Sequence, residues 1–216
     1  MGSNISEQVE LTNPVDLSVG GMSGHIFRRL FHLAMCVLPI LYFEVGENVA
    51  DSVGLTLDEI VASVVIVAAL GEALRLKMGF TVFGQREYES QQVSALAWGA
   101  LAIGLVFLIT PSKAYAYPLI LTLTFGDPFM GELRRRGVES SSVIAYACVL
   151  VLAIWLLCWY MFETPLIACL IVAPIAVFSE TPRLRYIDDN ATMLLIPLAV
   201  VALAGPAIIA LVFYRK

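Results

Sequence analysis

Long apolar runs separated by short polar segments cover the chain from residue 30 to residue 214. A run of about 20 apolar residues is long enough to cross a bilayer as an α-helix. The pattern predicts about seven such segments, at 30–45, 57–76, 93–110, 114–125, 143–162, 165–178 and 191–214. We therefore expect an all-α, polytopic membrane protein, in which the shorter segments keep their polar neighbours buried against protein rather than lipid.

The fourth segment, 114–125, is short for a transmembrane helix and ends at Gly126-Asp127-Pro128. A run of this length is compatible with a broken helix or with a re-entrant segment that lines a cavity. We retain it as a crossing because its removal would place the arginine-rich loops on opposite sides of the membrane.

The N-terminal region, 1–24, is polar and contains several Gly and Ser residues. It has no basic stretch followed by an apolar core and a small-residue cleavage site, so it does not match a secretory signal. We expect a polar tail over 1–24 and a single membrane-embedded domain over 25–216.

Positive charge determines the predicted orientation. With the N-terminus in the cytoplasm and seven crossings, the cytoplasmic side receives Arg28, Arg29, Arg75, Lys77, Arg86, Arg134, Arg135, Arg136, Arg183 and Arg185. The other side receives Lys113, Arg215 and Lys216. This excess agrees with the positive-inside rule, and the loop 44–59, which has acids but no Lys or Arg, falls outside.

Composition excludes several other classes. Only 14% of residues are charged, against about 25% in soluble domains. Lys and Arg are scattered in short groups and the formal net charge is -5, so we expect no nucleic-acid partner. The four cysteines lie inside apolar runs without C-x-x-C spacing, which argues against a zinc site or a disulfide framework.

Four polar clusters share the predicted cytoplasmic side. They are Arg28-Arg29-Leu30-Phe31-His32, then Glu72 to Arg75 with Arg86 to Glu89, then Gly126-Asp127-Pro128, and finally Asp188-Asp189-Asn190. Charges at the ends of membrane helices either reach the headgroups or meet in a buried polar site. Because the clusters share one face, we expect a site there.

Three carboxylates stand out in these clusters. Asp127 follows a glycine at the end of an apolar run, and Asp188 and Asp189 open the last one. Mg²⁺ takes one or two protein carboxylates together with water and substrate phosphates, so Asp127 with Asp188 or Asp189 predicts a magnesium–phosphate site. Two simpler interpretations stay open: the Asp pair caps a helix, and Gly126-Asp127-Pro128 forms only a turn.

These clusters resemble the polyprenol kinase family, which comprises dolichol kinase, phytol kinase and their archaeal relatives, and which is similar to the CDP-diacylglycerol synthases. The resemblance runs through most of the chain. It is carried by Arg28-Arg29 with His32, by Glu72 with Arg75, by Arg86, Glu89, Ser94 and Gly99, by Gly126-Asp127, and by Asp188-Asp189-Asn190 with Thr192. The last motif and the upstream Gly-Asp match the family most specifically.

The resemblance implies an Mg²⁺-dependent transfer of the γ-phosphoryl group of CTP to the hydroxyl of an isoprenoid lipid alcohol at the cytoplasmic face. It assigns Asp127 and Asp188 to magnesium, Asp189 to magnesium or to orienting the hydroxyl, and Asn190 to a phosphate or a metal-bound water. Asp127 and Asp189 are then the catalytic residues. Glu72 and Arg75, one helical turn apart, are expected to form a structural pair. His32 is expected to be packed or interfacial, and a direct role for it stays open.

The chain departs from the family after Gly126-Asp127. A lysine-containing segment that the family uses for the nucleotide is missing, and Gly131 to Ser142 instead contains Arg134, Arg135 and Arg136. These arginines are the phosphate-binding candidates, since a guanidinium can grip phosphate with two hydrogen bonds. Three arginines beside a membrane also serve as a simple positive-inside anchor.

Three hypotheses therefore stay open. The first is a CTP-dependent lipid-alcohol kinase, with CTP or another nucleoside triphosphate as donor. The second is an enzyme that forms a CDP-lipid from a lipid phosphate, for which the same acids would serve. The third is a non-catalytic membrane protein that keeps the scaffold. The identity of the lipid and the oligomeric state, a homo-oligomer included, are not determined by the sequence.

Overall fold

The structure, a computed structural model, describes residues 18–110, 112–182, 184 and 186–213, and describes side chains as far as residue 204. Most of the predicted tail lies outside these residues, as do Arg183, Arg185, Arg215 and Lys216. Helix makes up 81% of the structure and the described residues form no strand, which confirms the all-α fold. A single antiparallel bridge joins Ser18 to Arg86.

The helices follow one another with short connections. They are α1 Gly21–Ala34, α2 Val37–Ile40, α3 Gly46–Val53, α4 Leu57–Met78, α5 Ala95–Ile109, α6 Lys113–Leu121, α7 Asp127–Arg135, α8 Ser140–Phe162, α9 Leu166–Glu180 and α10 Asp189–Phe213. Two π-helical segments, Leu41–Val45 and Thr122–Gly126, join α2 to α3 and α6 to α7, and a 3₁₀ turn spans Glu87–Ser90. The predicted segments 57–76, 93–110, 143–162, 165–178 and 191–214 therefore each correspond to one helix.

The first helical stretch extends beyond the prediction at both ends. Helix begins at Gly21, inside the segment expected to be a tail, and continues through α3 to Val53, across much of the acidic segment 44–59 that was expected to be a loop. Val45, Val49 and Val53 continue the apolar spacing of four residues, which favours helix over loop. Gly54 ends α3 with a φ of 71°, a left-handed conformation that glycine adopts without strain.

The fourth predicted segment is part of a longer helical stretch. α6, the second π segment and α7 follow without a break from Lys113 to Arg135. Pro118 lies within α6, and the hydroxyl of Thr122 donates to its carbonyl at 2.7 Å. Gly126-Asp127-Pro128 is therefore not a turn: Asp127 and Pro128 open α7 directly after the π segment.

The bundle has two chemically different ends. At one end, here called the acidic end, lie the C-termini of α4 and α9 and the N-termini of α5, α7 and α10. At the opposite end, Lys113 pairs with Glu44 at 2.6 Å and the hydroxyl of Thr164 donates to the carbonyl of Ala114 at 2.6 Å. The stretch from Lys113 to Asp127 and helix α9 run between these ends, so Asp127 and Glu180 meet at the acidic end.

The core is formed mainly by α5, α6, α8, α9 and α10. Trp155, Leu119, Val151 and Leu194 are among its fully buried side chains. The outer surface is also strongly apolar: its most exposed apolar side chains include Val64 at 61%, Val67 at 68%, Val149 at 69% and Leu203 at 84%. Large apolar side chains exposed in such number are unusual for a monomeric soluble protein.

Two helical stretches of the described chain are long and apolar enough to cross a membrane, Gly21–Val53 and Ser140–Phe162. Helices Ala95–Ile109 and Leu166–Glu180 and the stretch Asp189–Ala204 are apolar but shorter. α4 has 22 residues but carries acids in its first turn and basic residues in its last turn. Length and composition thus give two candidate spans, fewer than the about seven predicted from the apolar pattern.

Candidate functional site

The acidic end brings together side chains from clusters that are far apart in sequence. Arg28 pairs with Glu89 at 2.9 Å, and Arg29 lies 3.7 Å from a carboxylate oxygen of Asp127. Arg75 donates to the backbone carbonyl of Glu89 at 2.7 Å. These contacts place α1, α4, the 3₁₀ turn and α7 around one polar region at the end of an apolar bundle.

Three carboxylates form the centre of this region. Oxygens of Asp127, Glu180 and Asp189 all lie within 4.8 Å of one another. Opposite ligands of a six-coordinate Mg²⁺ are about 4.2 Å apart, given bonds of about 2.1 Å, so small side-chain movements would let the three acids share one cation. Asp127 and Asp189 were candidates from the sequence, whereas Glu180, which ends α9, was not.

The segment before α10 supplies both a cap and a metal-ligand candidate. The backbone N–H of Asn190 donates to Oδ1 of Asp188 and to Oδ1 of Asp189, at 3.0 Å each. Asp188 therefore caps the helix, as one of the open interpretations expected, and its other oxygen is not used by this bond. The side chain of Asn190 is buried and its Oδ1 has no hydrogen-bond partner in the described part of the chain.

Basic side chains surround Asp127. His32 Nδ1 lies 3.5 Å and Arg29 Nη1 3.7 Å from its Oδ2, and Arg29 also reaches its backbone carbonyl at 3.5 Å. Burial alone would raise the pKa of Asp127, but His32, Arg29 and Arg28 together lower it. Asp127 is thus held as a carboxylate, the form that a cation requires.

Asp188 has the opposite electrostatic environment. Burial and the neighbouring charge of Asp189 raise the pKa of Asp188 well above its usual value. Arg28 and Arg86 are nearby basic residues. Burial would lower the pKa of Arg86, but Tyr88, Asp189 and Asp188 raise it. Arg86 donates to the hydroxyl of Tyr88 at 2.5 Å. A cation bound beside Asp188 would favour the ionised form of its carboxyl group.

The three predicted phosphate-binding arginines all contact carboxylates. Arg134 donates to both oxygens of Glu180, at the centre of the site. Arg135 and Arg136 instead pair with Glu132, at 2.7 Å and 2.8 Å, and their hydrogen bonds lower its pKa to about 2. Of the three, Arg134 is therefore placed next to the candidate metal ligands, and the other two lie on a more exposed part of α7.

Buried polar contacts fix the frame of the site. Arg75 is 4% exposed and pairs with Glu72 at 2.7 Å, which confirms the structural pair predicted from their spacing. Arg75 also donates to the carbonyls of Phe80, Glu89 and Gln92. Glu89 is 2% exposed and accepts from Arg28 and from the backbone of Arg86 and Ala95. These bonds tie the loop after α4 to α1 and α5.

A cavity of about 250 Å³ opens between α1 and α7, beside Arg29. Its lining combines exposed apolar side chains of α1 with charged groups, namely Met22, His25, Ile26, Arg29, Leu30, Glu132 and Arg135. Arg29, which contacts Asp127, therefore lies in the wall of this cavity beside exposed apolar side chains. Such a lining suits a molecule with an apolar chain and a polar head.

Taken together, the acidic end offers three clustered carboxylates, an adjoining acid and several arginines. Carboxylate oxygens suit a divalent cation, and guanidinium groups suit phosphate. No protein-family model, no curated protein and no solved structure matches this chain. The function proposed below is drawn from the geometry of the acidic end together with the sequence motifs.

Proposed function

We propose that this protein is an integral membrane lipid-alcohol kinase, which transfers the γ-phosphoryl group of CTP, or of another nucleoside triphosphate, to the hydroxyl of a prenol. The single observation that carries the proposal is the convergence of Asp127, Glu180 and Asp189 within 4.8 Å, with arginines beside them, at one end of an apolar bundle. Phosphoryl transfer needs this combination, because it depends mainly on positioning and on neutralising charge.

The membrane setting is part of the proposal. We propose seven crossings with the acidic end in the cytoplasm, so that the basic residues follow the positive-inside rule. The exposed apolar surface, with side chains such as Val67, Val149 and Leu203, supports burial in lipid. The shorter helices are compatible with it, because polar groups near their ends are buried against protein rather than lipid.

Each acidic-end residue receives a role in this proposal. Asp127, Glu180 and Asp189 would hold Mg²⁺, with Asp188 able to contribute its second carboxylate oxygen. Bound Mg²⁺ would neutralise the phosphate charge that develops in the reaction. Asn190 would donate its side-chain amide to a phosphate or to a metal-bound water.

The transfer balances as a direct displacement. The prenol oxygen forms a bond to the γ-phosphorus while the bond from that phosphorus to the β–γ bridging oxygen breaks. The products are a prenyl phosphate and the nucleoside diphosphate, and the hydroxyl proton passes to water or to Asp189. The cavity between α1 and α7 would admit the lipid from the bilayer, since Met22, Ile26 and Leu30 offer it an apolar wall.

A CDP-lipid-forming enzyme is the second candidate. It would bind a lipid phosphate instead of a lipid hydroxyl, and it would need basic residues beyond those used for the nucleotide. Arg29 and Arg86, which lie near Asp127 and near the Asp188-Asp189 pair, favour this candidate. The two reactions differ in which phosphorus is transferred, so a choice of radiolabel separates them.

The experiment is phosphate transfer by the purified protein in nanodiscs, with Mg²⁺, γ-labelled CTP or ATP, and a panel of polyprenols and phytol. Asp127→Asn and Asp189→Asn are assayed beside Lys113→Gln, which removes an ion pair at the opposite end. We expect a labelled lipid with wild type and Lys113→Gln and none with the two Asp variants. Label only from α-labelled CTP with phosphatidic acid would support the second candidate, and no label in either assay would support a non-catalytic protein.

A further inference from the structure

The carboxylate of Glu180 lies next to both an arginine and two other carboxylates. Arg134 donates to both of its carboxylate oxygens, while one of its oxygens also lies within 4.8 Å of oxygens of Asp127 and Asp189. The side chain of Glu180 is 1% exposed and that of Arg134 is 36% exposed. Glu180 is therefore fixed in the interior, and Arg134 approaches it from the solvent side.

The carboxylate cluster is not the only sign of a ligand here. His32 is 4% exposed, and its Nδ1 points at Oδ2 of Asp127 from 3.5 Å without a hydrogen bond of good geometry in the described chain. The amide oxygen of Asn190, which is 2% exposed, also has no partner there. Buried polar atoms are nearly always satisfied in proteins, so unpaired ones beside three carboxylates indicate a ligand that completes their bonding.

Arg134 and a divalent cation cannot both use Glu180 fully. A guanidinium held by two hydrogen bonds occupies both oxygens of the carboxylate, and its charge repels a second cation placed on the same group. The guanidinium and the cation would lie only a few ångströms apart, and near a protein surface two positive charges at that separation repel each other strongly. A cation bound between the three acids would therefore weaken the contact between Arg134 and Glu180.

We propose that Glu180 is shared between Arg134 and a divalent cation, and that binding of the cation releases Arg134 to grip nucleotide phosphate. This inference rests on the proposed function, because it assigns the released arginine to the triphosphate. It gives a reason for an arginine-rich segment at the position where a nucleotide-binding lysine is absent. Arg134, unlike Arg135 and Arg136, lies close enough to the carboxylates to respond to the metal.

The exchange also balances charge. Asp127, Glu180 and Asp189 carry three negative charges when ionised, and Arg134 offsets that of Glu180. A divalent cation takes over this role, so the positive charge of Arg134 becomes available for a phosphate. Binding of the metal is then expected to raise the affinity for the nucleotide. Binding of the nucleotide is expected to raise the affinity for the metal by the same factor.

The first test is Mn²⁺ binding, followed by electron paramagnetic resonance of the free ion, with the protein in nanodiscs of uncharged phosphatidylcholine. We expect Glu180→Gln to weaken Mn²⁺ binding by about ten-fold, as the loss of a ligand would. We expect Arg134→Gln to strengthen binding by about three-fold or more, because the competitor is gone. Lys113→Gln, which breaks an ion pair at the opposite end, should leave the affinity unchanged.

Arg134→Gln leaves a buried carboxylate without its cation and can lower stability. Arg134→Lys is the companion variant: it keeps the charge, loses the two-point contact, and should also bind Mn²⁺ more tightly than wild type. If Arg134→Gln and Arg134→Lys instead weaken Mn²⁺ binding as Glu180→Gln does, Arg134 orients the ligand and the exchange is wrong. An unchanged affinity in both variants would equally overturn it.

The second test measures binding of β,γ-methylene-CTP at saturating Mg²⁺. Arg134→Gln should lower the affinity for this nucleotide by about ten-fold, the effect of one charge-assisted contact, although the same variant should bind the metal more tightly. A nucleotide affinity equal to wild type would contradict the release of Arg134. Failure of wild type to bind Mn²⁺ at all would overturn the proposed function as well, whereas Mn²⁺ binding that is lost in Asp127→Asn but insensitive to Arg134 would overturn only the exchange.

Discussion

The guanidinium of Arg29 crosses α7 directly over Gly131, where an added Cβ would lie 2.3 Å from Nη2 of Arg29. Gly131 follows Asp127 by four residues and so shares its face of the helix. The absence of a side chain at Gly131 is what allows Arg29 to reach Asp127.

We predict that Gly131→Ala pushes Arg29 away from Asp127 and lowers phosphoryl transfer by between about ten-fold and a hundred-fold, because small displacements in a site are costly. Stability should change little, since alanine favours a helix interior by up to about 1 kcal/mol and Arg29 is a flexible side chain. The measurement is the rate of lipid labelling together with the thermal unfolding temperature.

Gly71→Ala is the matched control for this variant. Gly71 lies within α4, and nothing lies within 4 Å of a Cβ added there. It should leave the transfer rate unchanged. Equal rates for Gly131→Ala and wild type would show that the position of Arg29 is unimportant for the site.

The buried ion pair of α4 is predicted to be structurally essential. Arg75→Gln leaves Glu72 and three backbone carbonyls without their donor, and loss of one partner of a buried pair costs about 3–5 kcal/mol. Arg135→Gln breaks a pair with the same spacing and the same 2.7 Å distance, but an exposed one, which solvent screens, so the cost is small. The free energy of unfolding in detergent should fall much more in Arg75→Gln than in Arg135→Gln. Equal losses in the two variants would contradict the role of burial.

The hydroxyl of Thr122 is predicted to stabilise the π segment that leads to Asp127. It accepts from Nε1 of Trp155 at 2.9 Å and donates to the carbonyl of Pro118 at 2.7 Å. Thr122→Val should lower stability by about 1–3 kcal/mol, because it leaves the buried indole N–H without an acceptor. Thr122→Ser keeps both bonds and should lose less than half of that amount, so a similar loss in both variants would assign the effect to packing instead.

Glu132 is predicted to give α7 a pH-dependent contribution to stability. Hydrogen bonds from Arg135 and Arg136 lower its pKa to about 2, below the about 4.3 of an unfolded chain. The contribution is therefore complete above about pH 5 and is lost as the pH falls through about 2. The free energies of unfolding of wild type and Glu132→Gln should differ at neutral pH by less than about 1 kcal/mol, as for a half-exposed pair, and the two values should converge in acid. A difference that grows in acid would contradict this assignment.

The sequence predicted most of the helices because their apolar runs are long and end at polar clusters. It did not predict the π segments Leu41–Val45 and Thr122–Gly126, since one extra residue per turn leaves no mark in the apolar pattern. It also placed a loop where α3 forms, because the charge of Glu47 and Asp51 obscured the apolar spacing of the valines.

The candidate site was predicted only in part. Asp127 and Asp189 were recognisable because each stands beside a sequence motif at a helix boundary, and the structure places them together. Glu180 was missed since a lone acid at the end of a helix has the pattern of a surface residue. Its one available signal was its position, at the same predicted side of the membrane as Asp127. The pairing of Arg134 with Glu180 depends on tertiary contact and has no signature in the sequence.

The central claim is that the clustered carboxylates of the acidic end support phosphoryl transfer to a lipid alcohol. Its most direct test is transfer from γ-labelled CTP to a polyprenol in nanodiscs with Mg²⁺, by wild type and Asp127→Asn. We expect a labelled lipid with wild type, its loss on chelation of Mg²⁺, and its absence with a folded Asp127→Asn variant. Label transferred equally well by Asp127→Asn would show that the carboxylate of Asp127 is not needed for the transfer.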